Sequence, residues 1–220
     1  MNIHEAIRAR HSVRKYTDLK IEGETAAALE AYVQQLNAES GLRMQLCLNE
    51  PEAFGSKLAC FGMFKGVTDY LALVGSDGAA LDETCGYYGE KFVLQAQMLG
   101  LNTCWVLATY NRRKCAAEVG SGEKLCCVIA LGYGETQGKP RRSKKIEDVC
   151  PNRELPDWFR RGVEYALMAP TGVNQQDFTL ELTPDGVSAG CGRGPCKKID
   201  LGIVKCHFEI GASEGDWKWI

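Results

Sequence analysis

The chain has 220 residues, with 26 Lys and Arg against 28 Asp and Glu, a formal net charge of −2, and 45% hydrophobic residues. That balance excludes a disordered, collagen-like or coiled-coil architecture and offers no basic patch of the kind that nucleic-acid proteins use. The longest fully apolar run, Leu125 to Leu131, is too short to span a bilayer.

Asn2 and Glu5 form a capping pair that opens a short helix, whose apolar face carries Ile3, Ala6 and Ile7 and which runs into RHSVRKY at residues 10–16. This charged, amphipathic start lacks the apolar core of a signal peptide. A second helix is predicted over residues 24–40, with Leu29, Tyr32, Val33 and Leu36 on one face and Gly41 as its stop. Residues 42–49 read as a strand, Pro51 to Lys65 as loop and short helix, and Tyr70 to Val74 as a short apolar strand. Asp82 can cap a long helix through Leu99 that is apolar on most sides, as a buried central helix would be. A strand over Thr103 to Leu107, a short helix over 111–119 and a buried strand over Leu125 to Tyr133 follow, then a polar, basic loop from Gly134 to Lys145.

A second unit begins at Pro156, a favourable first helical position, with Trp158, Phe159, Val163, Ala166 and Leu167 on one face and Pro170 as the end. After TGVNQQ, Phe178 to Leu182 alternates as a strand should, Asp185-Gly186 suggests a hairpin turn, and a glycine-rich stretch leads to a last helix from Asp200 to about Ala212. The pattern predicts an α+β or α/β chain divided into residues 1–150 and 151–220, without internal repeats.

Three segments can carry chemistry. In RHSVRKY, Arg10 and Arg14 flank His11 and Ser12, a set of guanidinium forks and a hydroxyl suited to a phosphate; the bland reading is a solvated basic turn. In APTGVNQQ, residues 169–176, side-chain amides place donors and acceptors side by side, as the edge of a heterocycle requires; the bland reading is a polar connector. In GYGETQGKPRRSKKIEDV, Arg142 and Lys144 follow a buried strand and could add a second cationic contact, or simply be solvated. Gly190, Gly192 and Gly194 lack the dinucleotide spacing, and Cys191 with Cys196 lacks the second pair that a zinc site needs. No metal site is expected. The eleven cysteines read as reduced thiols, Cys126 and Cys127 as strand packing, His4 as a surface residue and His207 as a core-edge one. A cytoplasmic location follows.

Taken together, the three segments resemble the FMN-dependent nitroreductase family: Arg-x-Ser-x-Arg and an aromatic, then a Gly-Tyr segment with late Lys and Arg, and an Ala-Pro-Ser-x-x-Asn-x-Gln loop with Thr171 in the serine position. GYYGEKFVLQAQMLGLNTCWV is similar to the family's central helix and following strand. The resemblance implies an α+β nitroreductase-like fold with a central mixed or antiparallel sheet flanked by helices. In typical members the Ala-Pro-Ser loop comes early and crosses a homodimer. Here it lies past residue 168, with Asp177-Phe178 in place of the usual Pro-Trp, an order resembling a variant branch of the family. A C-terminal unit that mimics part of a partner subunit would then complete the site in cis, making a monomer the favoured state and a homodimer the competitor.

The same resemblance implies FMN, with hydride taken from NADH or NADPH and electrons passed to a nitroaromatic, quinone or similar small acceptor. Arg10, Ser12 and Arg14, with His11 beside them, would hold the phosphate and ribityl chain, and Arg142 and Lys144 the second phosphate side. Pro170, Thr171, Gly172 and Asn174 would contact the ring, and the backbone of Leu107 and Ala108 would approach N5. No catalytic acid or base is implied, since the cofactor carries the reaction. Two other readings stay open: an FMN-binding storage or sensing protein without turnover, and an interaction protein whose cofactor site has decayed, against which both arginines and Asn174 argue.

Overall fold

The computed structural model describes residues 1–56 and 62–220, and the fold is mixed α+β. The chain divides into two units: Met1–Leu81 with Lys91–Pro140, and Asp82–Glu90 with Arg141–Ile220.

In the first unit, α1 (Ile3–Ala9) opens with a complete capping box: Asn2 Oδ1 accepts the Glu5 N–H and Glu5 Oε2 accepts the Asn2 N–H, both at 2.9 Å. α2 (Gly23–Ser40) stops at Gly41, which takes the left-handed conformation at φ 71°. Four strands, β1 (Gln45–Cys47), β2 (Asp69–Ser76), β3 (Asn102–Val106) and β4 (Glu123–Gly132), form a sheet in the order β1-β2-β4-β3, every pair antiparallel. β2 and β4 are central and buried on both faces, which is why they read as continuous apolar runs rather than alternating ones. One face contributes Tyr70, Ala72, Val128, Ala130, Cys104 and Val106 to a cluster with Val13, Tyr16 and Phe54.

RHSVRKY occupies the open edge of β3. Ser12 pairs in parallel with Thr103, the Val13 N–H donates to the Thr103 carbonyl at 3.0 Å, and the Thr17 N–H donates to the Tyr133 carbonyl at 2.8 Å. Main-chain pairing thus fixes where this segment's side chains project.

Several predicted elements are shorter or shifted. The predicted helix over 111–119 is a single 3-10 turn, Arg112–Lys114, capped by Asn111. Beyond it, the Ala116 N–H donates to the Tyr70 hydroxyl and the Glu118 N–H to Gln45 Oε1, so tertiary partners replace the helical ones. The predicted strand 42–49 pairs only over Gln45–Cys47; past it, Asn49 turns to φ 58° and donates its N–H to Asp69 Oδ1. Within Pro51 to Lys65 a 3-10 turn forms at Pro51–Ala53, while the part of that prediction over 57–61 lies outside the described residues.

In the second unit, α4 (Asp157–Ala166) uses Pro156 as its N-cap rather than its first residue. β5 (Phe178–Thr183) and β6 (Gly186–Cys191) make a hairpin whose register closes Thr183 on Gly186, so Pro184-Asp185 occupies the turn one residue before the predicted pair. α5 (Lys197–Gly211) starts one turn ahead of the predicted Asp200. Trp217 and Trp219 pack on Phe208 of α5 with ring centroids 5.1 and 5.2 Å away.

The helix α3 (Leu81–Met98) passes from one unit to the other: residues 82–90 group with the second and 91–98 with the first. Its first half meets α5 backbone to backbone. A Cβ on Gly86 would stand against the Ile199 carbonyl, 2.9 Å from its carbon, and one on Gly202 would stand against the Glu83 carbonyl, 2.6 Å from the Tyr87 nitrogen. One turn on, Glu90 and His207 form a fully buried pair, both 0% exposed, so His207 is a core residue rather than a core-edge one. His207 Nε2 lies 2.8 Å from Glu90 Oε1, and Nδ1 lies 3.1 Å from the Tyr165 carbonyl. A carbonyl only accepts, so Nδ1 is the donor in the Tyr165 contact.

Gly202→Ala is expected to cost about 1–3 kcal/mol by forcing α3 and α5 apart, which thermal unfolding should register as a midpoint lowered by about 2–12 °C. A Cβ at Gly78 meets nothing within 4 Å, so Gly78→Ala serves as the control. Equal midpoints for the two variants would contradict the close approach.

Candidate functional site

α1 ends at Arg10, where the backbone turns extended at φ −67°, ψ 123°. Arg10 is 2% exposed, His11 and Ser12 are half-buried, and Arg14 is exposed. Arg10, Ser12 and Arg14 act on one group, the Cys104 thiol on β3. Burial pushes that thiol up, while Arg14, a hydrogen bond from Ser12 and Arg10 each pull it down. Tyr16, buried beside them, has its phenol raised well above the ordinary value by burial and then by Cys104, with Arg14 opposing. The loop after β4 closes over the segment at Gly138 (φ 81°), where a Cβ would stand 2.6 Å from His11 Cβ. Asn102 holds this loop from below: its Oδ1 accepts the Gly134 N–H and its Nδ2 donates to Gln137 Oε1, both at 3.0 Å. Leu107, half-buried, and Ala108, exposed, follow directly on β3.

In the second unit, residues 170–177 form a loop with three non-glycine residues in the left-handed region: Val173 (φ 45°), Asn174 (φ 56°) and Gln176 (φ 47°). For Asn this is tolerable; for a β-branched residue it is strained. The loop is held by specific bonds. Pro170 is buried behind it, the Thr171 hydroxyl accepts the Gln176 N–H at 3.0 Å, and the Thr171 carbonyl accepts the Asn174 N–H at 2.9 Å. Gln176, 1% exposed, accepts the Lys144 N–H at 2.7 Å and donates to the Leu167 carbonyl at 2.7 Å and the Ser143 hydroxyl at 3.1 Å. Asn174 Nδ2 donates to the Arg142 carbonyl at 2.9 Å, and Lys144 Nζ donates to the Gln176 carbonyl at 2.9 Å. The Gly172 N–H donates to both carboxylate oxygens of Asp200 on α5, at 2.9 and 3.0 Å.

The structure therefore brings Arg10, His11, Ser12 and Arg14 together within the first unit, with Leu107 and Ala108 just beyond the same strand. Within the second it ties Arg142 and Lys144 to Thr171, Gly172 and Asn174. Sequence reasoning missed Gln176 and Asp200. Gln176 was the last amide of a motif already singled out; nothing near Asp200 in sequence signalled its reach to Gly172. None of the ten described cysteines forms a disulfide, and the eleventh, Cys60, lies outside the described residues. Among the described residues no group of three or more His, Cys, Asp or Glu is placed to hold a metal, and no helix is long and apolar enough to cross a membrane.

The chain belongs to the nitroreductase family described as "Putative TM nitroreductase", whose model matches residues 2–212. A crystal structure from Thermotoga maritima, described as a "putative nitroreductase", is similar at a TM-score of 0.70 and 23% identity, covering 97% of this chain and 85% of that one. A protein from Desulfovibrio desulfuricans, described as a "putative nitroreductase in complex with fmn", is similar at a TM-score of 0.52 and 19% identity, covering 71% of this chain and 98% of that one. A protein from Bacteroides thetaiotaomicron described as a "Putative NADH dehydrogenase/NAD(P)H nitroreductase" is similar at a TM-score of 0.53 and 16% identity, covering 67% of this chain and 95% of that one. These likenesses establish a shared fold. No curated protein sequence matches the chain.

Val173 is 91% exposed, so its side chain gives up little packing for its strained backbone. Val173→Gly is expected to stabilise the protein by about 0.5–1 kcal/mol, the left-handed penalty less the flexibility that glycine adds to the unfolded chain. Denaturant unfolding measures it; destabilisation, the usual outcome of Val→Gly, would contradict the loop conformation.

Proposed function

We propose that the chain binds FMN non-covalently and acts as a cytoplasmic, NAD(P)H-dependent flavin oxidoreductase that reduces a nitroaromatic, quinone or similar small acceptor. The observation that carries this reading is that Arg10, Ser12 and Arg14 stand on one short segment pinned to β3 at Thr103, with Arg10 buried. Two guanidinium forks and a hydroxyl make a donor set that fits a phosphate, and a buried arginine is worth most against a dianion. The FMN complex of the Desulfovibrio protein and the description of the Bacteroides protein support the cofactor and the electron donor respectively.

When bound, FMN supplies the redox chemistry, taking a hydride from the nicotinamide and giving electrons to the acceptor. The chain's own residues bind and orient. Arg10 and Arg14 hold the phosphate, with His11 and Ser12 on the ribityl side. Arg142, exposed, adds a second cation, while Lys144 holds the Gln176 carbonyl and with it the shape of the 170–177 loop. That loop offers Pro170 as an apolar wall, the Thr171 hydroxyl as a donor, and Gly172 and Asn174 as further contacts to the ring. Leu107 and Ala108 present backbone groups toward N5, where fixed donors stabilise developing negative charge. No side chain is assigned as acid or base. The oligomeric state we propose is a monomer, which light scattering on dilute holoprotein checks.

Replacing Arg14 with Ala should weaken FMN about tenfold to a hundredfold, the loss of one charge-assisted hydrogen bond, and leave riboflavin, which lacks the phosphate, nearly unaffected. Equal losses for both would remove the phosphate assignment. In a stopped-flow experiment without acceptor, NADH or NADPH should bleach the flavin absorbance of the holoprotein. Bound flavin that neither nucleotide bleaches would make the chain an FMN-binding storage or sensing protein instead.

A further inference from the structure

Asp200 lies in the first turn of α5, where a carboxylate gains from the helix dipole. An exposed side chain would gain as much, yet Asp200 is 7% exposed and turned onto the 170–177 loop. Both its oxygens hold the Gly172 N–H. Three residues earlier, the buried Lys197 reaches the same loop: its Nζ lies 2.8 Å from Asp177 Oδ2 and donates to Gln175 Oε1. α5 thus grips the loop at Gly172, Gln175 and Asp177, and the left-handed residues Val173 and Asn174 lie between the grips. Backbone in such conformations persists only where its surroundings over-determine it.

We propose that Asp200 is a positioning residue for the flavin-ring loop: by holding the Gly172 amide it keeps residues 170–176 in the conformation that receives the ring. The inference rests on the flavin reading above. It carries a pH dependence. Burial pushes the Asp200 carboxyl up to about 6, against the Gly172 hydrogen bond and Lys197, which pull it down, and with Asp177, which adds to the rise. Lys197 and Asp177 are the charged groups facing it, and Cys196 lies beside Gly172. Because the folded value is raised, this group's own contribution to stability is fully present below the unfolded carboxyl value and is lost as pH rises through about 6. The charged form is kept above that pH at a cost to stability, and it is the form that accepts the Gly172 N–H most strongly. Loop order and flavin affinity should therefore rise with pH where fold stability from this group falls.

The test combines amide hydrogen exchange over residues 168–177 of the flavin-free protein with FMN titrations from about pH 5 to about pH 8, in wild type, Asp200→Ala and Asp200→Asn. Wild type should bind FMN several-fold more tightly at the upper end, with the step near 6. Asp200→Ala should exchange the loop amides about tenfold faster and bind FMN about tenfold more weakly at the upper end. Asp200→Asn keeps an accepting oxygen but cannot titrate, so it should restore protection and bind without the step. Protection in Asp200→Ala equal to wild type, or a step retained in Asp200→Asn, would overturn the proposal; should the alanine variant not fold, the asparagine arm decides. A wild type that binds no FMN at any pH would overturn the flavin reading, while the exchange arm still judges the hold of Asp200 on the loop.

Discussion

The backbones of α3 and α5 meet at Gly86 and Gly202, closer than any side chain at those positions permits. Much of the second unit depends on this contact. With the helices seated at that spacing, Lys205 Nζ reaches Glu83 Oε1 at 2.5 Å, Tyr87 donates its hydroxyl to Glu209, and Glu90 meets His207 out of reach of water. Such a buried pair tolerates no separation, because either partner left alone would be a desolvated polar group. The same seating sets the position of α5's first turn, from which Lys197 and Asp200 reach the 170–177 loop. A loop with three left-handed non-glycine residues is costly in isolation; here each end is tied to a helix whose own place is fixed by backbone contact.

The first unit solves a different problem with the same economy. β3 is an edge strand, and an open edge invites unwanted pairing. RHSVRKY covers it, and the covering segment is the one that carries the arginines. The pairing of Ser12 with Thr103 sets Arg10, Ser12 and Arg14 along this edge. The segment that carries the arginines is thus pinned to the sheet by main-chain hydrogen bonds.

Local signals in the sequence were legible where the physics is local. The Asn2–Glu5 box, the Gly41 stop, the long apolar helix α3 and the β5–β6 hairpin follow from neighbours within a turn or two. What failed was decided at a distance. Residues 111–119 carry helix formers, yet Tyr70 and Gln45 take the amides that a helix would have used. The motif residues of the candidate site were visible as residue types, and their grouping within each unit emerged from sheet register and loop closure. Asp200 was invisible as a loop anchor because its partner is the main chain of Gly172, twenty-eight residues away, and a backbone N–H leaves no mark in a sequence. His207 looked like a core-edge residue because its buried partner, Glu90, lies on another helix.

The central claim is that these arginines and this strained loop serve a flavin phosphate and a flavin ring. The most direct measurement is the visible absorption spectrum of the purified chain, followed by identification of whatever heat or acid releases from it. The account predicts a flavin band and FMN as the released flavin, either as isolated or after incubation with FMN. A colourless protein that retains no FMN after reconstitution would contradict it.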